Sequence, residues 1–172
     1  DAVRTESLRV LLERRSPAGH RAVFARLPKF DESEREIIAE RPDRMVCVVS
    51  EALKTADKAT CVNALKAILT FRLYDVLPAL VEVLKTPNDR LFQPAIRTID
   101  ELTEAFYQEL SGHDRPDKHR DYDTLRKRLT GTLEEAVGQY GVHRSQEILV
   151  AFLMLATPQS VILRRILQQP NE

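Results

Sequence analysis

Apolar side chains recur at intervals of three and four along most of this chain, the spacing that lines one face of an α-helix. TESLRVLLERR sets Leu8, Leu11 and Leu12 at that spacing, with Thr5 as the expected cap. SPAGHRAVFARL opens on Ser16 as N-cap and Pro17 at the first helical position, where a missing N–H costs nothing. DESEREIIAE places Glu34 three residues after Asp31, the pattern of a capping box. Pro42 begins PDRMVCVVSEALK. Asp57 then precedes KATCVNALKAILTF, whose Cys61, Val62, Leu65, Ile68 and Leu69 form one stripe. After YDVLPALVEVLK comes the longest pattern, RLFQPAIRTIDELTEAFYQEL, with Phe92, Ala95, Ile96, Ile99, Leu102, Phe106 and Leu110 in register. Pro94 there either marks the helix start or kinks the helix, and Gly112 is a natural stop.

SGHDRPDKHRDYD has almost no apolar content and reads as a long polar loop over 112–123. Three further helical segments fill 124–168: DTLRKRLTGTLEEAVGQYG, HRSQEILVAFLMLAT and PQSVILRRILQQ. The last is expected to start from Thr157 as cap and Pro158. Strands have no support, because alternating Val/Ile/Thr runs bounded by Asn-Gly or Asp-Gly are absent. The pattern predicts one all-α domain over 1–172, with roughly ten helices of about 8 to 15 residues.

Two stretches repeat each other. EALKTADKATCVNALKAI (Glu51 to Ile68) returns 31 residues later as EVLKTPNDRLFQPAIRTI (Glu82 to Ile99). Aligning 42–71 with 73–102 without a gap gives six identities: Glu51/Glu82, Leu53/Leu84, Lys54/Lys85, Thr55/Thr86, Ala64/Ala95 and Ile68/Ile99. Leu65/Ile96, Lys66/Arg97 and Asp57/Asn88 keep their chemistry. Ordinary composition gives about two identities in such a window by chance. A period of this size is the mark of a helical repeat, in which a helix pair too small to bury its own face stacks on the next. Pro87, with Asn88 or Asp89, supplies the stiff turn between the two helices of the second unit.

VLPALVEVLKTPNDRLFQPAIRTIDEL resembles a HEAT repeat. Pro78 falls on the family's typical proline, and Leu84, Ala95 and Ile99 on its core positions. In the 42–71 unit Cys47 stands where that proline would be. Relatives often carry an Asp before the turn and an Arg early in the second helix; this chain has Thr55 and Thr86, then Cys61 and Phe92. The resemblance covers about residues 42–102. It implies a right-handed stack of antiparallel helix pairs whose cohesion is mainly apolar. It also implies a non-catalytic scaffold or adaptor, with the second helix of each pair lining a concave side. The polar positions of those helices are Lys58, Asn63, Lys66, Thr70, Arg90, Gln93, Arg97, Glu101 and Glu104. Lys66 and Arg97 are equivalent by the period and would form a short basic column for an acidic segment of a protein partner.

Charge narrows the picture. The chain has 26 basic and 26 acidic residues, so no excess of either sign argues for nucleic acid or a membrane surface. Two basic clusters, LRKRL at Leu125 to Leu129 and LRRIL at Leu163 to Leu167, keep nucleic-acid binding as the second expectation. Some HEAT-like proteins bind DNA along a basic concave face, and some are DNA glycosylases. The longest apolar run, Ile148 to Ala156, is less than half of the about 20 residues a membrane span needs. The apolar stretch EILVAFLMLATPQSVILRRIL is expected to be buried inside the chain; packing against a further segment or a second copy, as a homodimer, is the alternative.

Candidate chemistry is sparse. No Gly-rich phosphate loop, nucleophile elbow, HExxH or CxxC occurs. Cys47 and Cys61 are expected to be buried, reduced thiols of a cytoplasmic protein. His113, Asp114, Asp117, His119, Asp121 and Asp123 crowd one loop without the dry support a metal site needs, so no metal and no cofactor is expected. His20, beside Gly19, reads as packing or capping. The pairs Asp100–Glu101 and Glu134–Glu135 point about 100° apart on a helix and read as solvated faces. The chain opens on Asp1 directly into helix, the start expected of a piece cut from something longer.

Overall fold

A computed structural model of the chain describes residues 2–54, 57–86, 91–112 and 120–168. Among them the regular elements are all helical. They are α1 (Ala2–Glu13), α2 (Pro17–Arg26), a 3-10 turn (Leu27–Lys29), α3 (Glu32–Glu40), α4 (Asp43–Leu53) and α5 (Lys58–Thr70). After a second 3-10 turn (Tyr74–Val76) come α6 (Leu77–Leu84), α7 (Phe92–Leu110), α8 (Tyr122–Gly138), the single turn α9 (Tyr140–His143), α10 (Gln146–Leu155) and α11 (Val161–Gln168). The all-α class is therefore as the periodicity predicts. Two compact units divide the chain, Asp1–Val76 and Leu77–Glu172, and their boundary falls inside the 73–102 period.

Helix starts follow the capping chemistry. The Ser16 hydroxyl accepts from Gly19 N (3.4 Å), with Pro17 at the first position of α2. Asp31 accepts from Glu34 N (3.0 Å), and Glu34 Oε2 accepts from Asp31 N (3.0 Å), which closes the capping box of α3. Asp57 accepts from the N–H groups of Ala59 and Thr60 to start α5. Asp121 does the same for α8, taking the N–H of Thr124 at 3.0 Å. Pro94 is the third residue of α7, inside the first turn whose N–H groups lack partners in any helix, so it marks the start. At the other end Gly112 takes φ +79°, and its N–H returns to Glu109 O at 3.2 Å. Only glycine adopts that φ without strain.

Two expected caps are corrected. Thr5 lies within α1, which begins at Ala2. Thr157 only opens a turn, accepting from Ser160 N (2.9 Å), and Ser160 is the cap of α11, its hydroxyl accepting from Leu163 N (3.2 Å). The turn at Pro87, Asn88 and Asp89, Thr55 of the repeat alignment, and His113, Asp114, Asp117 and His119 of the polar loop lie outside the described residues.

In the first unit α1 packs on α2 and α3, α2 on α4, and α4 on α5 and the second 3-10 turn. Leu12, Ile38, Met45, Val49 and Ile68 are among its most enclosed apolar residues. In the second unit α10 packs on α7 and α8, and α6 on the same two helices. Phe106, Phe152, Ile99, Leu133 and Ile148 fill that core with no exposure. Three identical pairs of the 31-residue period share their burial, Leu53 with Leu84, Ala64 with Ala95 and Ile68 with Ile99, whereas Leu65 and Cys61 are buried and their counterparts Ile96 and Phe92 only half-buried.

The C-terminal apolar stretch is not buried as a whole. One face of α10 buries Ile148, Ala151, Phe152 and Leu155, while Val150 and Leu153 are 50% and 46% exposed. Helix α11 buries no residue completely, and its Val161 and Leu167 stand in solvent. Cys61 is buried and its thiol meets Ala52 O at 3.4 Å, but Cys47 is exposed, contrary to expectation. Met45, Val48, Val49, Ala52 and Leu53 form the buried stripe of α4, and Cys47 falls off it. No helix among the described residues is long and apolar enough to cross a membrane.

Candidate partner-binding groove

Helix α5 carries most of the residues the sequence nominates. Its buried stripe, Cys61, Ala64, Leu65, Ala67 and Ile68, faces the first unit's core. That orientation turns Asn63, Lys66 and Thr70 outward, and all three line a groove of about 430 Å³. Asn63 and Lys66 are one turn apart, and Thr70 is one turn further, so a single helix edge presents an amide, an ammonium and a hydroxyl in sequence. Leu27 and Pro28 of the first 3-10 turn and Arg35 on α3 line it as well. Ala67, Leu69 and Phe71 give the groove an apolar floor.

The capping box of α3 helps fix this geometry. The Asp31–Glu34 box sets where α3 begins, and Arg35 follows as the next residue. Glu34 is 2% exposed and is also clamped by Arg4 of α1, at 2.6 Å from Nε and 3.1 Å from Nη2. The neighbouring arginine has no such carboxylate. Neither Arg35 nor Lys66 makes an ion pair among the described residues, and both are exposed. The groove thus presents two cations without an ion pair, and no acidic side chain among its described lining residues.

The remaining nominated residues stand elsewhere. Lys58 is the first residue of α5 and is exposed, but does not line the groove. Gln93, Arg97 and Glu101 are exposed along α7, in the second unit. Glu104 on the same helix accepts from Gln108 Nε2 at 2.6 Å. Lys66 and Arg97 fall in different units, and each is described within its own. Arg90 lies outside the described residues. Arg35 is the functional candidate that sequence reasoning missed. Its only signal was an exposed position one residue after a buried glutamate; nothing in the sequence brings α3 beside α5.

In the basic cluster of α8, Arg126 is structural, while Lys127 and Arg128 are exposed. Arg126 donates from Nε to Leu155 O (2.9 Å) and from Nη2 to Ala156 O (3.1 Å), satisfying carbonyls at the end of α10. Arg164 in the last helix donates to Pro158 O at 2.9 Å. The acidic pairs also have assignments. Glu134 is no bare solvated face: it accepts from Ser160 Oγ (2.6 Å) and Ile162 N (3.3 Å), reinforcing the start of α11. Partial burial pushes the Asp100 carboxyl above the ordinary aspartate range, and the Glu147 and Glu101 charges add to the shift. His143 is a structural strut. Ser145 N donates to its Nδ1 (2.9 Å), which leaves Nε2–H to donate to Ala136 O (2.9 Å).

No family model, no curated protein and no solved structure matches the chain. The groove's chemistry therefore stands on its own geometry. Two exposed cations, an amide and a hydroxyl above an apolar floor can take carboxylates and a neighbouring apolar side chain together.

Proposed function

We propose that this chain is a non-catalytic interaction module of HEAT-like helical repeats, and that the α3–α5 groove holds an acidic segment of a protein partner. The observation that carries this reading is that Arg35 and Lys66, neither in an ion pair among the described residues, line one groove with Asn63, Thr70 and the apolar Ala67, Leu69 and Phe71. The repeat reading is supported by matched burial at three identical pairs and by helix pairs, α4 with α5 and α6 with α7, in each period. The proposed architecture is a right-handed stack of those pairs. Nucleic-acid binding has less support, since Arg126 of the basic cluster is already committed to backbone carbonyls.

Selection of binders from a random-peptide display library on the whole chain tests the reading. The expected consensus contains Asp or Glu next to a Leu, Ile or Phe, and its recovery is lost with Arg35→Glu plus Lys66→Glu. A basic or charge-free consensus, or an acidic one that survives the double reversal, contradicts it. A DNA gel shift that weakens steeply with salt would favour the nucleic-acid reading instead.

A further inference from the structure

A second surface of the Asp1–Val76 unit lies outside the groove just described. Two surfaces meet on α1. One, of about 400 Å³, runs from Ser7 and Leu11 of α1 to Val23 and Arg26 of α2 and on to Lys29 and Phe30. The other is the open face of α1 itself: Val3, Glu6, Ser7, Val10 and Leu11. Ser7 and Leu11 line both, so the two adjoin along α1. The α1 edge is unusually apolar for a solvent-facing helix: Val3 is 83% exposed, Val10 36% and Leu11 37%.

The spacing identifies what such a surface fits. Val3, Ser7, Val10 and Leu11 sit at i, i+4, i+7 and i+8, the row with which one helix seats another, and small Ser7 leaves a notch within it. From Val3 to Leu11 the helix rises about 12 Å, room for two turns of a partner. A small ligand is normally enclosed over most of its surface, and this surface is open along α1.

Charge then selects among helices. Arg4 is held by Glu34, and Glu6 lies 3.8 Å from Arg9. Arg26 and Lys29 make no ion pair among the described residues and stand three positions apart at the groove's rim. Acidic residues one turn apart on a docked helix would face both cations, and basic ones would be repelled. Anionic lipid surfaces are read by clusters of about four to eight cations, and this rim has two.

We propose that α1, α2 and the residues following them form a docking groove for an amphipathic helix whose apolar stripe is bordered by acidic residues. The first 3-10 turn contributes Leu27 and Pro28 to the α3–α5 groove and Lys29 to this one, so the two sites are neighbours with separate charge pairs.

Fluorescence anisotropy with two synthetic helices of about 18 residues tests the proposal. One carries Leu at i, i+3, i+4 and i+7 with flanking Glu; the other replaces each Glu by Lys. The acidic peptide is expected to bind the whole chain and the basic one not to. Arg26→Glu with Lys29→Glu should weaken the acidic peptide at least about tenfold and admit the basic one. Val10→Asp, on an exposed position that leaves the circular dichroism spectrum unchanged, should abolish binding of the acidic peptide. Arg35→Glu with Lys66→Glu should alter neither, so failure here and failure of the acidic-segment reading are distinguishable. The proposal is overturned if the acidic peptide does not bind, or if both peptides bind alike. It is equally overturned if the Arg26 and Lys29 reversals change nothing, or if the groove proves to hold phosphatidylserine vesicles or a second copy that Val10→Asp releases.

Discussion

In the Leu77–Glu172 unit, guanidinium groups near helix ends serve the protein itself. Arg126 holds the carbonyls of Leu155 and Ala156, Arg164 holds Pro158 O, and Arg120 pairs with the fully buried Glu109 at 3.5 Å. In the Asp1–Val76 unit, Arg26, Lys29, Arg35 and Lys66 stand around two grooves without an ion pair among the described residues. A chain of zero net charge thus commits some cations to internal contacts and leaves others without an ion pair among the described residues. A count of charges cannot see this, because partnership rather than number decides whether a cation is available to a ligand.

The strongest way to sharpen the contrast is through the cores. Phe152→Ala empties a site with no exposure between α10 and its neighbours and should cost about 3–5 kcal/mol in urea unfolding. In the first unit, Ile38→Ala removes a smaller side chain and should cost about 2–5 kcal/mol. Next in size is the ion-pair comparison. Glu109→Gln leaves Arg120 beside a neutral amide in a largely dry site, with an expected loss of about 3 kcal/mol. Glu51→Gln breaks the exposed Arg21–Glu51 pair, whose side chains are 59% and 50% accessible, and should cost less than about 1 kcal/mol. Equal losses at the two sites would erase the distinction between internal and external use of charge. Ser160→Ala, which removes the cap of α11 and a donor to Glu134, should cost about 1 kcal/mol.

The smallest expected effect is with pH. The N–H of Glu34 and the hydroxyl of Ser33 hold the Asp31 carboxyl below the ordinary aspartate range. The N–H and hydroxyl of Thr124 do the same for Asp121. A folded-state pKa below the unfolded one gives stability that is complete above the unfolded value, about 3.9, and is lost as pH falls through the folded one. Asp100 has the opposite sign. Its carboxyl is raised by partial burial and by Glu147 and Glu101, so protonation as pH falls towards the ordinary value removes a cost. An NMR titration should find Asp31 and Asp121 half-protonated below a free aspartate and Asp100 above it. Asp31 titrating above the free value would contradict the capping-box account.

Local features were legible in the sequence where a short-range rule decides them. Ser16 with Pro17, Asp31 with Glu34, and Asp57 each announce a helix start, and the stripe of α5 announces its buried face. The exposed position of Cys47 was also readable, since it falls off the stripe of Met45, Val48, Val49 and Ala52. The cap of α11 was less so. Thr157 and Ser160 are both plausible caps, and the turn that closes from Ser160 N to Thr157 O passes the role to the second. For the groove, Asn63 and Lys66 follow from helical spacing on one element, whereas Arg35 depends on α3 lying beside α5, a tertiary fact with no local signature. The same holds for Arg126, which reads as a surface cation until Leu155 and Ala156, far along the chain, arrive beside it.

The central claim is that the free cations of the first unit are there to meet acid on a partner. Isothermal titration of a selected acidic peptide into the native chain, into Arg35→Glu with Lys66→Glu, and into Arg165→Glu at an exposed cation of the second unit, tests it most directly. The account predicts that the double reversal weakens binding by at least about tenfold, that a Lys-substituted peptide restores it, and that Arg165→Glu matches the native affinity. Equal affinities for all three proteins would contradict it.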